Sequence, residues 1–388
     1  MTISQYLAEL IKSQLEGRKP TEIPEGISVE EIMDISHRNH MDYLLLGAVL
    51  KLEALSAEQK EALRKRVMRS LMRTMTQVTE LKEMERRFEE AGVKNQPMKG
   101  ARLKFIYPSP EMREMSDIDV LIDADCMKQA ADILKDMGYC LQQSIKHHDI
   151  YKKKPFMVIE AHRVLYDKTV DGQQFRYFSG FSKVDLREGM NYTYDFNRED
   201  YYIYMMAHMA KHFYSMGCGI RNLVDIYVYL EKFGAEMNRE YLQDELKKCG
   251  ILEFTEHMEK LAAIWLKGEK STGFYEDLFQ YMLDSGIYGK DENGIWNKFA
   301  EEKMRGKEAT PSLLKRWYYF PPVSYMSEYY PWLEEHPWLL PVAWGIRFAR
   351  GLFKKKGIHK REMLHDIGKD KVKTYQKIYQ NMGLHFKR

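Results

Sequence analysis

The segment SDIDVLID at 116–123 constrains the fold of this chain more than any other. Acidic and aliphatic residues alternate there with a period of two, as in a strand that has one polar and one buried face. A strand must find partners for its backbone N–H and C=O groups, so a sheet has to be built around this segment. The chain before it and well after it follows helical spacing instead. The expected class is α/β of the α+β kind, with a small mixed sheet flanked by helical segments.

Residues 1–90 read as an N-terminal helical segment. Thr2 is placed to cap a first helix, and Ser28 a second, with Glu31 three residues on in a capping-box pattern. After Ser56, the apolar residues Leu63, Val67, Leu71, Met75 and Val78 recur at helical spacing. Arg64, Lys65, Arg66, Arg69 and Arg73 share the opposite side, either as a solvated face or as one that meets a polyanion.

Between 91 and 196, short apolar runs alternate with turns and helices, as an α/β core does. Strands are expected over 93–98, 116–123, 139–143 and 156–165. A helix is expected over 99–107 and another over 126–137, capped by Asp125 and ended by Gly138. His147 and His148 fall in a hairpin loop on this reading. From 197 to 346 the chain is helical again, starting at the N-cap Asn197.

Charge separates the last segment. Residues 347–388 hold thirteen bases against three acids, whereas the whole chain carries only +3. This basic tail is either solvated or a contact for RNA, an anionic lipid surface or a phosphorylated partner. The four cysteines, Cys126, Cys140, Cys218 and Cys249, form no CxxC pair, which excludes a zinc ribbon and a disulfide scaffold and fits a reducing cytosol. The most apolar stretch, 338–346, is too short to cross a bilayer, which takes about 20 residues. A cytoplasmic location without a transmembrane segment is the expectation.

Residues two apart on a strand point to one side, about 7 Å from each other. Asp117 and Asp119 therefore project together, while Ile118 and Val120 turn to the core. Paired carboxylates of this kind suit two Mg²⁺ ions bridged by phosphate oxygens. Upstream, Lys99-Gly100 precedes a helix start, where backbone N–H groups and a mobile ammonium favour a phosphate. Downstream, FMVIEAHRVL puts Glu160 and His162 on one strand face. An acid amid apolar residues needs a partner. Glu160 is a further metal ligand, a general base, or the partner of an arginine such as Arg113 or Arg163. His208 and His212 stand at i and i+4, a spacing that suits structural histidines, a cleft wall or a zinc pair. Arg221 and Asp225 have the same spacing and could form a local helix pair.

The order Lys99-Gly100, Tyr107, Arg113, SDID, then Glu160 and His162 resembles the DNA polymerase β-like nucleotidyltransferase superfamily. More closely it resembles the bacterial family of uncharacterised nucleotidyltransferases. The likeness continues in His208, Lys211, His212, Arg221 and Asp225, and in the segment RWYYFPPVSYMSEYYPWL, covering roughly 95–350. Where the superfamily usually has Gly-Gly or Gly-Ser, this chain has Gly100-Ala101, with no hydroxyl at 101.

The resemblance implies metal-dependent transfer of an NMP from an NTP to a hydroxyl of an unknown acceptor, with release of pyrophosphate. It implies Asp117, Asp119 and Glu160 as catalytic and metal-binding residues for two Mg²⁺ ions. It places Lys99, Gly100, Arg113, His208, Lys211 and His212 toward the nucleotide. The alternative is a catalytically idle module of the same fold that binds RNA or another anionic partner.

Overall fold

The computed structural model describes residues 1–145, 147–166, 172–290, 316, 318–327, 329–352 and 369–384. The chain opens with α1 (Ile3–Leu15), α2 (Val29–Arg38), the short α3 (Gly47–Val49) and the long α4 (Ala57–Glu90). Thr2 and Ser56 form reciprocal capping boxes with Gln5 and Gln59. At Ser28 the hydroxyl accepts the Glu31 N–H. These caps satisfy backbone donors that have no partner inside the helix.

The 34 residues of α4 give it a length of about 50 Å. Of the expected apolar row Leu63 and Val78 are buried, but the rest of the buried face is different. Met75 is 53% exposed, whereas Ser70, Thr74 and Gln77 are buried. The cause is polar and tertiary: Gln77 donates to the Met115 carbonyl at 3.0 Å and Arg73 to the Ser116 carbonyl at 3.1 Å. This helix grips the backbone that leads into SDIDVLID, a task for which apolar spacing gives no signal.

Next come β1 (Asn95–Pro97), α5 (Gly100–Leu103), β2 (Ile118–Ile122), α6 (Met127–Asp136), β3 (Cys140–Ser144), β4 (His148–Lys153) and β5 (Met157–His162). They form a five-stranded mixed sheet in the order β1-β2-β5-β4-β3. The central pair, β2 and β5, is parallel and the other neighbours are antiparallel. Two expectations need correction. The helix foreseen over 99–107 is a single turn, α5; beyond it Tyr107 is buried and donates to Asp225 at 2.7 Å. His148 belongs to strand β4, where it pairs with His162. The charged residues of that strand hide its pattern, since Asp149 is buried with Arg163 at 2.6 Å and the Ser144 hydroxyl as its partners.

After α7 (Gly172–Tyr177) and the hairpin β6 (Val184–Leu186) with β7 (Tyr194–Phe196), five helices follow. They are α8 (Arg198–Ser215), α9 (Arg221–Phe233), α10 (Arg239–Lys248), α11 (Leu252–Ala262) and α12 (Gly273–Ser285). Asn197 caps α8 by accepting the Asp200 N–H.

The sheet has two differently covered faces. Ile118, Val120, Ile122, Ile159 and Ala161 pack with Leu81, Met84 and Phe88 of α4 and Leu134 of α6. Leu121 faces a larger core that unites α1–α3 with α8–α12, from Tyr6 to Met282. The N-terminal and C-terminal helices therefore share one core, and the sheet is docked beside it. The helix Lys369–Asn381 joins this core too: Ile378 and Tyr379 are buried, and the Tyr379 and Tyr281 hydroxyls meet at 2.6 Å. Of the expected basic tail, Lys354, Lys355, Lys356, Lys360, Arg361, Lys387 and Arg388 lie outside the described residues. No helix among the described residues is long and apolar enough to cross a membrane.

Candidate active site

A cavity of about 360 Å³ lies between the second sheet face and helices α8 and α9. Strand pairing builds its acidic wall. Asp119 of β2 stands in register with Glu160 of β5, and Leu121 with His162. Asp117 precedes β2 and lines the same cavity with Asp119 and Glu160. The ligand atoms of Asp119, Glu160 and His162 lie within 4.8 Å of one another.

Electrostatics divides the carboxylates. Asp119 is 3% exposed. Burial disfavours its charge, yet Lys99 at 2.6 Å and His162 at 2.9 Å hold it well below the usual carboxylate range. Asp117 is pushed up to about 7, first by burial and then by the charges of Asp119 and Glu160. Glu160 is lowered, chiefly through His162, whose Nε2 is 3.5 Å from its carboxylate. The arginines that might have neutralised Glu160 are engaged elsewhere: Arg113 with Asp225 and Arg163 with Asp149.

Lys99 is held in an unfavourable backbone conformation, with φ +48° and ψ −125°. For a residue with a Cβ this costs about 1–3 kcal/mol and persists only where surroundings enforce it. Tyr201 of α8 donates its hydroxyl to the Lys99 carbonyl at 3.0 Å, and Leu103 donates its N–H at 2.9 Å. The strain aims the Lys99 ammonium at Asp119. Gly100 is needed for space. A Cβ there would sit 2.8 Å from the Met115 Cβ and 3.0 Å from Arg113 Nη1. The N–H groups of Ala101 and Arg102 close back onto the Met98 and Lys99 carbonyls. The expected fan of free amides at a helix start is thus reduced, and the Lys99 side chain is the charged group that this loop brings to the cavity.

Arg113 is 6% exposed and locked to Asp225 by Nε at 3.1 Å and Nη2 at 2.9 Å. Tyr107 adds its hydroxyl to the same carboxylate at 2.7 Å. The foreseen Arg221–Asp225 helix pair is replaced by this link across the fold, and Arg221 instead donates to the Glu114 carbonyl at 2.9 Å. Together these bonds fasten the segment before Asp117 to α9.

His208 and His212 line the cavity, with ring centroids 4.4 Å apart. Burial, reinforced by Lys99, lowers both, His212 to about 4, so they present neutral imidazoles. Lys211 turns to the Tyr166 ring, 5.4 Å from its centroid. Among the described residues, the convergent metal-type donor group is Asp119, Glu160 and His162, not this histidine pair. Sequence reasoning missed Tyr201, Tyr204 and Tyr288 in the cavity wall. The first two lie on the aromatic-rich start of α8, while nothing around Tyr288 signals a site.

The model of a family of uncharacterised nucleotidyltransferases matches residues 25–267. That is more than half of the chain. The chain belongs to this family. No curated protein and no solved structure matches it. The match begins just before α2, so the uncharacterised nucleotidyltransferase unit includes α2–α4, which the motif reading left aside, but not α1. It ends before the aromatic segment at 316–333, which the resemblance had included. Membership supports nucleotidyl transfer as the general activity of this nucleotidyltransferase.

Proposed function

We propose that the protein transfers an NMP from an NTP to a hydroxyl of an acceptor and releases pyrophosphate, using divalent metal. One observation carries this reading: three carboxylates, Asp117, Asp119 and Glu160, line one cavity opposite the strained Lys99. The donor chemistry fits Mg²⁺, which takes carboxylate and phosphate oxygens. Asp117 and Asp119 are the primary ligands, with Glu160 as a third. The high proton affinity of Asp117 comes first from burial and then from the neighbouring charges of Asp119 and Glu160, both of which a bound cation would offset. A bound metal would stabilise charge on the attacking and leaving oxygens.

The chain's own residues do the rest. His162 orients Asp119 through its Nε2 bond at 2.9 Å, and the same nitrogen lies 3.5 Å from Glu160. Lys99, tied to Asp119 at 2.6 Å, is released toward the triphosphate when that carboxylate is otherwise engaged. Glu160, ionised at neutral pH, accepts the proton of the attacking hydroxyl. His208 and His212 donate neutral hydrogen bonds from the opposite wall.

The test uses isotopic position. The protein is incubated with Mg²⁺, a cell extract and NTP labelled at the α or the γ phosphate. Label transfer from the α position alone, lost in Asp119→Asn, is the expected result. Transfer of the γ label would make the reaction a phosphoryl transfer and overturn the reading.

A further inference from the structure

A second cavity, of about 300 Å³, opens on the other side of Met115, which lines both. Its walls include Arg66, Arg69 and Arg73 of α4 with His37 and His40. Asp42 neutralises Arg66, which it meets at Oδ1 and Oδ2. Arg69 is exposed and has no ion pair among the described residues, and neither does the exposed Lys65 one helical turn before it. Arg73 Nε is buried without a hydrogen-bond partner, while Nη2 holds the Ser116 carbonyl.

Lys65, Arg69 and Arg73 follow one another at four-residue intervals, so they make a row on one side of α4 with a rise of about 6 Å per step. This spacing is comparable with that of consecutive phosphates in an extended strand. The far end of the same helix is different. There Arg86 and Arg87 are neutralised by Glu83 and Glu90, and Lys153 by Glu80. Among the described residues, Lys65 and Arg69 thus carry unpaired charge in the half of α4 from which Arg73 reaches Ser116, while Lys82 is the unpaired base of the far half. The row ends at Ser116, next to Asp117. Ser116 Oγ also meets the Tyr288 hydroxyl at 2.6 Å and His40 Nδ1 at 3.4 Å, so the two cavities share a thin wall.

We propose that the acceptor is a single-stranded polynucleotide whose phosphodiester backbone lies along Lys65, Arg69 and Arg73 and whose terminal hydroxyl reaches Asp117. The proposal rests on the nucleotidyl-transfer reading above and names its acceptor. The acceptor oxygen bonds to the α-phosphorus, and the bond from that phosphorus to the β-phosphate oxygen breaks. Pyrophosphate leaves with the bonding pair, and the hydroxyl proton passes to Glu160. Charge–phosphate contacts of this sort bind strands without reading their sequence.

The test is fluorescence anisotropy with a single-stranded RNA of about 12 nucleotides, labelled at the end away from the free hydroxyl, within the site sizes usual for such proteins. A DNA of the same sequence separates the two sources of this backbone. Wild type, Arg86→Gln and Lys65→Gln/Arg69→Gln are compared over a salt series. Each phosphate contact on a single strand contributes about 0.7 to the log–log salt slope. The double variant should therefore lose about 1.4 from the slope and at least about tenfold in affinity. Arg86→Gln, at the neutralised far end of α4, should bind the strand as wild type does. Lys65→Arg/Arg69→Lys should restore binding, and unchanged thermal midpoints verify folding.

Wild-type affinity and slope in Lys65→Gln/Arg69→Gln would overturn the proposal. So would displacement by poly-glutamate as effective as by unlabelled RNA, which would make the row a site for acidic polypeptide. Calorimetry with Mg²⁺ and NTP separates the two levels. NTP binding without strand binding overturns the acceptor and leaves the transfer reading standing. Strand binding at this row without NTP binding overturns both the transfer reading and the row's role as acceptor site.

Discussion

Removing the Asp225 carboxylate should expose how strongly the segment before Asp117 is fastened to the helical core. Asp225 is 3% exposed and accepts from Arg113 Nε, Arg113 Nη2 and the Tyr107 hydroxyl. Asp225→Ala leaves a guanidinium that is 6% exposed without its counter-charge. Breaking one side of a buried pair costs about 3–5 kcal/mol, because the remaining charge stays desolvated. At about 2.1 cal/mol/K per residue, a chain of this length has an unfolding entropy near 0.8 kcal/mol/K, so about 4 kcal/mol lowers Tm by roughly 5 °C. Urea unfolding followed by tryptophan fluorescence reads the same loss. The control is Arg113→Met/Asp225→Leu, which removes both charges. Well-packed apolar replacements of a buried pair are often neutral or stabilising, so this variant should recover most of the loss. If Asp225→Ala stays within about 1 kcal/mol of wild type, or the double variant is no more stable than the single one, the reasoning about the buried pair is refuted.

Other variants separate roles within the cavity and around it. Glu160→Gln should keep NTP binding within about threefold and lose about 10²–10³ in turnover, as expected for loss of a general base; equal losses of binding and turnover would assign Glu160 to binding instead. Gly100→Ala should cost about 1–3 kcal/mol of stability, because its Cβ meets Met115 and Arg113, and unchanged urea midpoints would contradict this. Lys104 is fully buried, its Nζ has no hydrogen-bond partner, and burial, then Arg113, pushes it down to about 7. The unfolded chain then binds more protons than the native one between pH 7 and the ordinary lysine value, so stability rises with pH across that window. Lys104→Met should abolish this rise and be more stable than wild type at pH 7 by about 1–3 kcal/mol; a rise that persists in the variant would show that another group causes it.

The acidic wall of the site was legible in the sequence because strand chemistry has a short period. Alternation placed Asp117 and Asp119 on one side, and Glu160 stood out as an acid between apolar residues. Sequence spacing could not reveal that β2 and β5 are parallel neighbours, which is what sets Asp119 beside Glu160. Local spacing misled where long-range bonds win. Asp225 prefers Arg113, 112 residues away, to Arg221 one helical turn away. The buried polar face of α4 was equally hidden, since Gln77 and Arg73 are spent on backbone carbonyls of the catalytic segment. The strain at Lys99 has no sequence signature, because glycine is the residue expected in that conformation.

The central claim is that the carboxylates opposite Lys99 form a metal-dependent nucleotide site. Titration calorimetry of the four common NTPs, with and without Mg²⁺, on wild type and Asp117→Asn/Asp119→Asn tests it most directly. The account predicts that at least one NTP binds wild type only with Mg²⁺ and that the double variant loses this binding. Binding that is unaffected by removing the metal or the two aspartates would contradict it.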